Sequence, residues 1–418
     1  CDTPGYLDFF GQVVIATRAC DAALMMVDAN AGIQVGTTRC WKHADKMGLP
    51  CGILITGLDR ENANFANALS AIQTAWGAQC VPVILPLPDG SATANILDTA
   101  TVPTPLADQA QAAMTKLMEI AAETDDKLIE KYLGGEALTP DELAQGMRKA
   151  ILARKLMPVF TCSALKGIGV AELLSAIVKL MPSPVDRPMT DAENKAIDPQ
   201  PGAPFAGFVW RVVNDPFIGQ MTFLRIAGGT LKADLEITNV NKDQKERISS
   251  IVEVNGRKQN PLASAGAGEI VALPKLKITQ LADALCGPGA KAKFAPFVFP
   301  SPVTFSAVAA KSQGDEDKIG TALSRIAEED PTVRIERNTD THETILSGMG
   351  DVQLAIAVER MKKRSNVEGI LSTRPDLTAS TLNAGLFNAV SKGAPYKLIL
   401  DRGIEKPGSG SMTIVASN

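Results

Sequence analysis

A chain of 418 residues, 45% hydrophobic and 21% charged, has room for about two to four domains and is neither fibrous nor disordered in composition. Its net charge of −4 and pI near 5.5 exclude a global basic field, so any contact with RNA would need a local basic patch. Seven cysteines (Cys1, Cys20, Cys40, Cys51, Cys80, Cys162, Cys286) lie scattered with no C-x-x-C, which argues against a zinc site or redox pair and suits a reducing cytoplasm.

No apolar run reaches the length of a membrane span, and no signal peptide is visible, so the expectation is a cytoplasmic chain with no membrane partner. Residue 1 is Cys rather than Met, and the chain opens inside a motif, so a piece of a longer protein is expected. That motif is Asp2-Thr3-Pro4-Gly5-Tyr6-Leu7-Asp8-Phe9. In a D-x-x-G turn the Asp can bond a metal-bound water, and the bare Gly N–H can approach a phosphate oxygen.

Strand and helix then alternate. Ala23–Val27 reads as a buried strand ending at Asp28, with a helix over about 35–48. Cys51–Ile55 is a second strand, followed by a helix over about 60–77, and Val81–Leu85 is a third. Between 86 and 156 the pattern turns helical, with an acidic stretch from Glu119 to Glu130, and reads as an inserted subdomain. Pro158–Thr161 is a fourth strand and Val170–Leu180 a helix. Continuously apolar strands separated by helices imply a parallel sheet covered on both faces, so residues 1–182 read as one α/β domain.

A Pro-rich linker over 183–203 leads into residues 204–297, where short alternating strands and Gly turns suggest a small antiparallel β-barrel. Trp210, beside Phe208 in one of these strands, is expected to be buried. Residues 298–370 read strand, helix, strand, strand, helix: Val303–Ala309, Asp317–Glu329, Val333–Asn338, Glu343–Ser347 and Val352–Arg364. That is an α+β unit, and the tail 371–418 is unassigned.

Two further loops carry site candidates. Thr56-Gly57-Leu58-Asp59 follows an apolar strand where guanine-binding folds place N-K-x-D, whose Asp takes two donor hydrogens of the guanine edge. Ser163-Ala164-Leu165-Lys166 follows the last strand, where backbone N–H can meet the guanine oxygen. Gly-Lys occurs nowhere, so there is no G-x-x-x-x-G-K-[ST] phosphate loop. The two histidines, His43 and His342, are expected to be solvated and not catalytic.

These motifs carry a resemblance. Residues 2–9 resemble the D-T-P-G-H-V-D-F of translational GTPases, and Asp28-Ala29-Asn30-Ala31-Gly32-Ile33-Gln34 resembles their D-A-x-x-G-V-Q. Glu328-Glu329-Asp330-Pro331-Thr332 and Ser347-Gly348-Met349-Gly350-Asp351-Val352-Gln353-Leu354 are similar to the E-E-D-P-T and S-G-M-G-E-L-H-L signatures of elongation factor G. Ser163-Ala164-Leu165-Lys166 and the exit Leu180-Met181-Pro182-Ser183-Pro184 match the same family. The resemblance covers about residues 1–370. It implies a truncated GTP-binding domain with a helical insert, a second-domain barrel and a ferredoxin-like third domain. It also implies GTP and Mg²⁺ as cofactors, the ribosome (rRNA and ribosomal proteins) as partner, a monomer, and movement of tRNA and mRNA after peptide transfer.

By the same resemblance the nucleotide contacts are Asp2, Gly5, Thr56, Asp59, Ser163 and Ala164, with Asp2 holding the metal through water. Tyr6 stands where the family has the His that positions attacking water, and a phenol is no effective base at neutral pH. Thr56 and Gly57 replace the family's Asn and Lys. Tyr6 therefore marks either a weakened catalytic position or a paralogous lineage. Two readings stand beside each other: a translocation GTPase, and a ribosome-binding paralogue whose GTP-binding domain is a structural remnant. A ribosomal protection protein is a third.

Overall fold

The computed structural model describes residues 1–98, 102–215, 219–256, 258–311, 315–339, 343–365 and 367–372. In the first domain the central strands are β1 (Ala23–Asp28), β2 (Cys51–Thr56), β3 (Cys80–Pro82) and β6 (Met157–Cys162), parallel and in the order β1-β2-β6-β3. The strands are apolar almost throughout because both faces are covered. Ile53, Ile55 and Val159 pack with α2 (Val35–Lys46) and α3 (Phe65–Trp76). Their alternates Leu54 and Phe160 pack with α4 (Ala107–Ala122), α6 (Pro140–Leu152) and α7 (Val170–Leu180), the period-2 division a strand imposes.

Local chemistry moves several boundaries. Helix α3 starts at Phe65, not near 60, because the Asn64 side chain accepts the Asn67 N–H at 2.9 Å and caps it. The run 81–85 is not one strand. Pro82 has no N–H for a ladder, and the chain leaves the parallel sheet there. It continues as β4 (Ile84–Pro86) in an antiparallel hairpin with β5 (Thr93–Asn95). The insert is therefore helical from a 3-10 turn at Thr104–Leu106 and α4 onward, with α5 (Asp126–Leu133) between α4 and α6. Thr139 and Glu142 form a capping box on α6.

Residues 7–17 hold a short 3-10 turn (Leu7–Phe9) and helix α1 (Phe10–Thr17), which sequence reading left unassigned. Helix α1 is a wedge. Phe10, Val13 and Val14 pack near Cys40 of α2 and near Phe297 and Phe299, while Ile15 and Ala19 join Phe208, Trp210 and Phe294.

The second domain is antiparallel. Its strands are β7 (Ala206–Asp215), β8 (Gly219–Gly228), β9 (Thr230–Lys232), β10 (Glu236–Asn239), β11 (Gln244–Arg247), β12 (Ile251–Asn255), β13 (Lys258–Leu262), β14 (Ser264–Gly266), β15 (Ile270–Pro274) and β16 (Ala284–Cys286). Eight of them run in the order β11-β10-β16-β7-β8-β15-β12-β13, with β9 and β14 as a separate pair, around one core that includes Val209, Leu224, Ile226 and Leu273. A buried ion pair ties this domain to the first: Arg225 Nη2 lies 2.6 Å from Asp21 Oδ2, with both side chains largely buried.

The third domain runs β17 (Thr304–Ala310), α8 (Glu316–Glu329), β18 (Arg334–Arg337), β19 (Thr344–Gly348), α9 (Asp351–Ser365), β20 (Gly369–Ser372). Its antiparallel sheet has the order β18-β19-β17-β20. This is a complete split βαβ arrangement. The closing strand β20, absent from the sequence reading, pairs Ala310 with Gly369 and Ala307 with Ser372. Among the described residues no helix is long and apolar enough to cross a membrane.

Candidate functional site

Parallel pairing brings three loops to one end of the sheet. Asp28 is in register with Thr56, and Thr56 with Cys162, so the loops leaving β1, β2 and β6 emerge side by side. A cleft of about 640 Å³ opens there, and its walls include Gly5, Tyr6, Asp28, Gly36 and Thr56. Tyr6 is 60% exposed.

Asp28 builds the first loop. Its Oδ1 accepts the backbone N–H groups of Asn30 and Ala31, each at 3.0 Å, and its Oδ2 lies 2.5 Å from Arg60 Nη1. The Ala31 N–H is the main cause that holds this carboxyl below the usual range, with Asn30 and Arg60 adding to it. Gly57 has φ +78, in the left-handed region, and a Cβ there would approach Asp28 Oδ2 to 3.1 Å. A lysine at position 57 would be strained in this backbone.

The second and third loops meet through Asp59 and Ser163. Ser163 Oγ donates to Asp59 Oδ1 at 2.7 Å and accepts the Lys166 N–H at 3.3 Å. The Ser163 bond is the main reason the exposed Asp59 carboxyl titrates low, so it is an anion ready to accept donors. The Ser163 N–H is spent on the Ile168 carbonyl at 2.9 Å, and the Ala164 carbonyl accepts the Gly167 N–H at 3.4 Å. Asp59, Ser163 and Ala164 thus form one group; Gly5, Tyr6 and Thr56 line the neighbouring cleft.

Asp2 does not line this cleft. It borders a separate cavity of about 490 Å³ with Gln12, Trp210, Arg211 and Arg360. Asp2 and Gly5, read as one phosphate-sensing turn, therefore line different cavities. Among the described residues no group of three or more His, Cys, Asp or Glu side chains could hold a metal ion. His43 is half-buried, not solvated: its Nε2 is 2.9 Å from Thr17 Oγ1, and its ring meets Phe10 edge-on at 5.6 Å. His342 and the tail from 373 lie outside the described residues.

Sequence reasoning missed Asp8. Its Oδ2 accepts the backbone N–H groups of Val352 (3.1 Å) and Gln353 (3.3 Å), capping α9 of the third domain. Gly350 must be bare, because a Cβ there would overlap the Asp8 carboxylate. Gly11 likewise packs without a side chain against Asp330 and Thr332. Those two residues share a buried network with Gln353, whose Nε2 donates to Thr332 Oγ1 at 2.8 Å and to Asp330 Oδ2 at 3.0 Å. Both signatures were visible in the sequence, but not their mutual contact.

The chain matches the elongation factor Tu GTP binding domain over residues 1–183, elongation factor G domain 2 over 204–287 and elongation factor G domain III over 299–373. It is similar to a crystal structure of a protein from Thermus thermophilus, with a TM-score of 0.79 and 28% identity. That likeness covers 99% of this chain and 61% of the other, so the chain spans less than two thirds of the matched protein's length.

Proposed function

We propose that this chain, a translational GTPase resembling elongation factor G, works on the ribosome in the cytoplasm and promotes GTP-coupled translocation of tRNA and mRNA. The observation that carries this reading is the Asp8 cap on α9: the segment that lines the nucleotide-side cleft is also the segment that holds the third domain. A change at Gly5 or Tyr6 would reach α9 through the few residues of chain that lead to Asp8. A monomer suffices for this coupling, because all three domains lie in one chain.

The residues fit the guanine end of GTP. Asp59, ionised and oriented by Ser163, would accept the two donors of the guanine edge, and the Ser163–Ala164 loop would sit beside the base oxygen. The residues present do not complete a Mg²⁺ site: Asp2 is the one metal-side carboxylate the resemblance offers, and it lines a cavity other than the cleft. The phosphate end also lacks partners: the sequence has no Gly-Lys loop to cradle it. These residues alone therefore supply no hydrolytic step.

A second reading is favoured by specific observations. Tyr6 is an exposed phenol, Gly57 gives the base no lysine stem, and Arg60 is engaged with Asp28. Those features suit a ribosome-binding paralogue in which the first domain is a structural remnant. Sedimentation of the chain with ribosomes through a sucrose cushion tests the shared claim. Saturable pelleting, competed by intact elongation factor G, is expected. No pelleting at micromolar chain and ribosome would overturn both readings.

A further inference from the structure

A small pocket of about 80 Å³ lies between the second and third domains and shares no lining residue with the cleft beside Gly5. Its polar walls are Asn214 at the end of β7, Arg325 on α8, and Arg360, Arg364 and Ser365 on α9. Among the described residues no carboxylate lines it. Arg360 and Arg364 are one helical turn apart, a like-charge spacing that weakens a helix on its own. Arg325 then adds a third guanidinium from the opposite helix.

These charges are only partly answered from within. Arg364 Nη1 lies 2.6 Å from Glu329 Oε1, and the same oxygen accepts the Asn214 N–H at 2.7 Å. Arg325 and Arg360 have no ion-pair partner among the described residues. The Asn214 Nδ2 is buried with no hydrogen-bond partner among the described residues, a cost that a native structure avoids unless something else accepts it. Arg360 also borders the adjoining cavity, where Asp2, Glu329 and Asp330 stand with Arg211, so the unbalanced positive charge is confined to the small pocket. The ordinary explanation for cations late in α9, attraction to the helix C-terminus, accounts for Arg364. It does not account for Arg325 and Arg360, which precede the last turns of α8 and α9, nor for the orphaned amide of Asn214 on a strand.

Apart from the Ser365 hydroxyl, the polar side chains are rich in donors, and the arginines can only donate. They call for an acceptor that spreads negative charge over several oxygens. The volume corresponds to roughly two or three water molecules at about 30 Å³ each, the size of one tetrahedral oxyanion. We propose that this pocket binds a phosphate group, with Arg325, Arg360 and the Asn214 amide as its donors and Arg364 held in place by Glu329. The group could be free inorganic phosphate or a phosphodiester of an RNA backbone; the chemistry of recognition is the same. The site goes beyond the translocation reading and does not depend on it.

The test is calorimetric titration of the full chain with inorganic phosphate in low-salt chloride buffer, then competition by a short oligoribonucleotide. One saturable site is expected, together with a rise in melting temperature on adding phosphate. In Arg325→Gln/Arg360→Gln, whose melting curve is recorded alongside, affinity should fall at least about tenfold, the loss of charged hydrogen bonds. A control that removes two exposed barrel lysines, Lys232→Gln/Lys258→Gln, should leave it unchanged. Displacement of phosphate by the oligoribonucleotide would identify RNA as the source, and no displacement a small ion; both support the site. Absence of saturable binding by either probe, unchanged binding in the arginine variant, or an equal loss in the lysine control would overturn the proposal.

Discussion

The Asp8 carboxylate accepts the backbone N–H of Val352 at 3.1 Å across 344 residues of chain. It satisfies a donor that the first turn of α9 leaves open, and it places a negative charge at the positive end of the helix. The contact joins the first and third domains at a residue that itself lines the cleft.

Asp8→Ala should therefore cost about 1 kcal/mol, the usual worth of a lost cap. Gly350→Ala should cost more, because the new methyl would overlap the carboxylate. Urea denaturation of both single variants and the double variant checks this. The two effects should be clearly non-additive, with Gly350→Ala milder once Asp8 is gone. Strict additivity would mean that the contact carries no energy.

Trp210 is 7% exposed and packs edge-on to Phe223 at 6.1 Å, yet its indole Nε1 is buried without a partner. Trp210→Ala should cost about 3–5 kcal/mol. Trp210→Phe should cost much less, because it keeps most of the ring and removes the orphaned donor. In a chain carrying Trp41→Phe and Trp76→Phe, acrylamide should quench the remaining fluorescence poorly. Quenching close to that of free tryptophan contradicts the burial.

His43 gives a pH dependence of definite sign. Burial lowers its pKa below the ordinary value, and Lys46 adds to the lowering. The unfolded chain therefore takes up its proton at a higher pH than the folded one. Stability linked to this group is full above about pH 6.5 and declines as the pH falls through that value toward the folded pKa. His43→Gln should flatten the fall in melting temperature over that window. An identical pH profile in the two proteins would show that His43 titrates freely.

Some of this was legible in the residues. Cys51–Ile55 carries no polar side chain, and Val170–Leu180 has clean helical spacing, so β2 and α7 announce themselves. Helix α1 does not. Its residues Phe10, Val13, Val14, Ile15 and Ala16 are all buried, because two domains enclose it and no polar stripe remains to mark a helix. The Asp59–Ser163 bond follows from two loops that could be found one at a time, but their meeting needs the β2–β6 register. The separation of Asp2 from Gly5 is invisible to a motif, since three residues of chain are enough to lead to a different cavity. The Asp8–Val352 contact depends on how domains dock, which neither local sequence records.

Asp59 and Ser163 are proposed as the base-recognising part of a GTP site, and no Gly-Lys phosphate loop occurs in the 418 residues. Ribosome-stimulated phosphate release from GTP tests this reading most directly, measured for the chain, its Tyr6→His form, and both again with a family-type phosphate loop and first switch fused ahead of Cys1. No ribosome-stimulated release is expected from either unfused protein, with release from the fused proteins and a faster rate for fused Tyr6→His than for fused wild type. Turnover by the unfused Tyr6→His chain would contradict this reading, because a complete phosphate site would then lie within these residues.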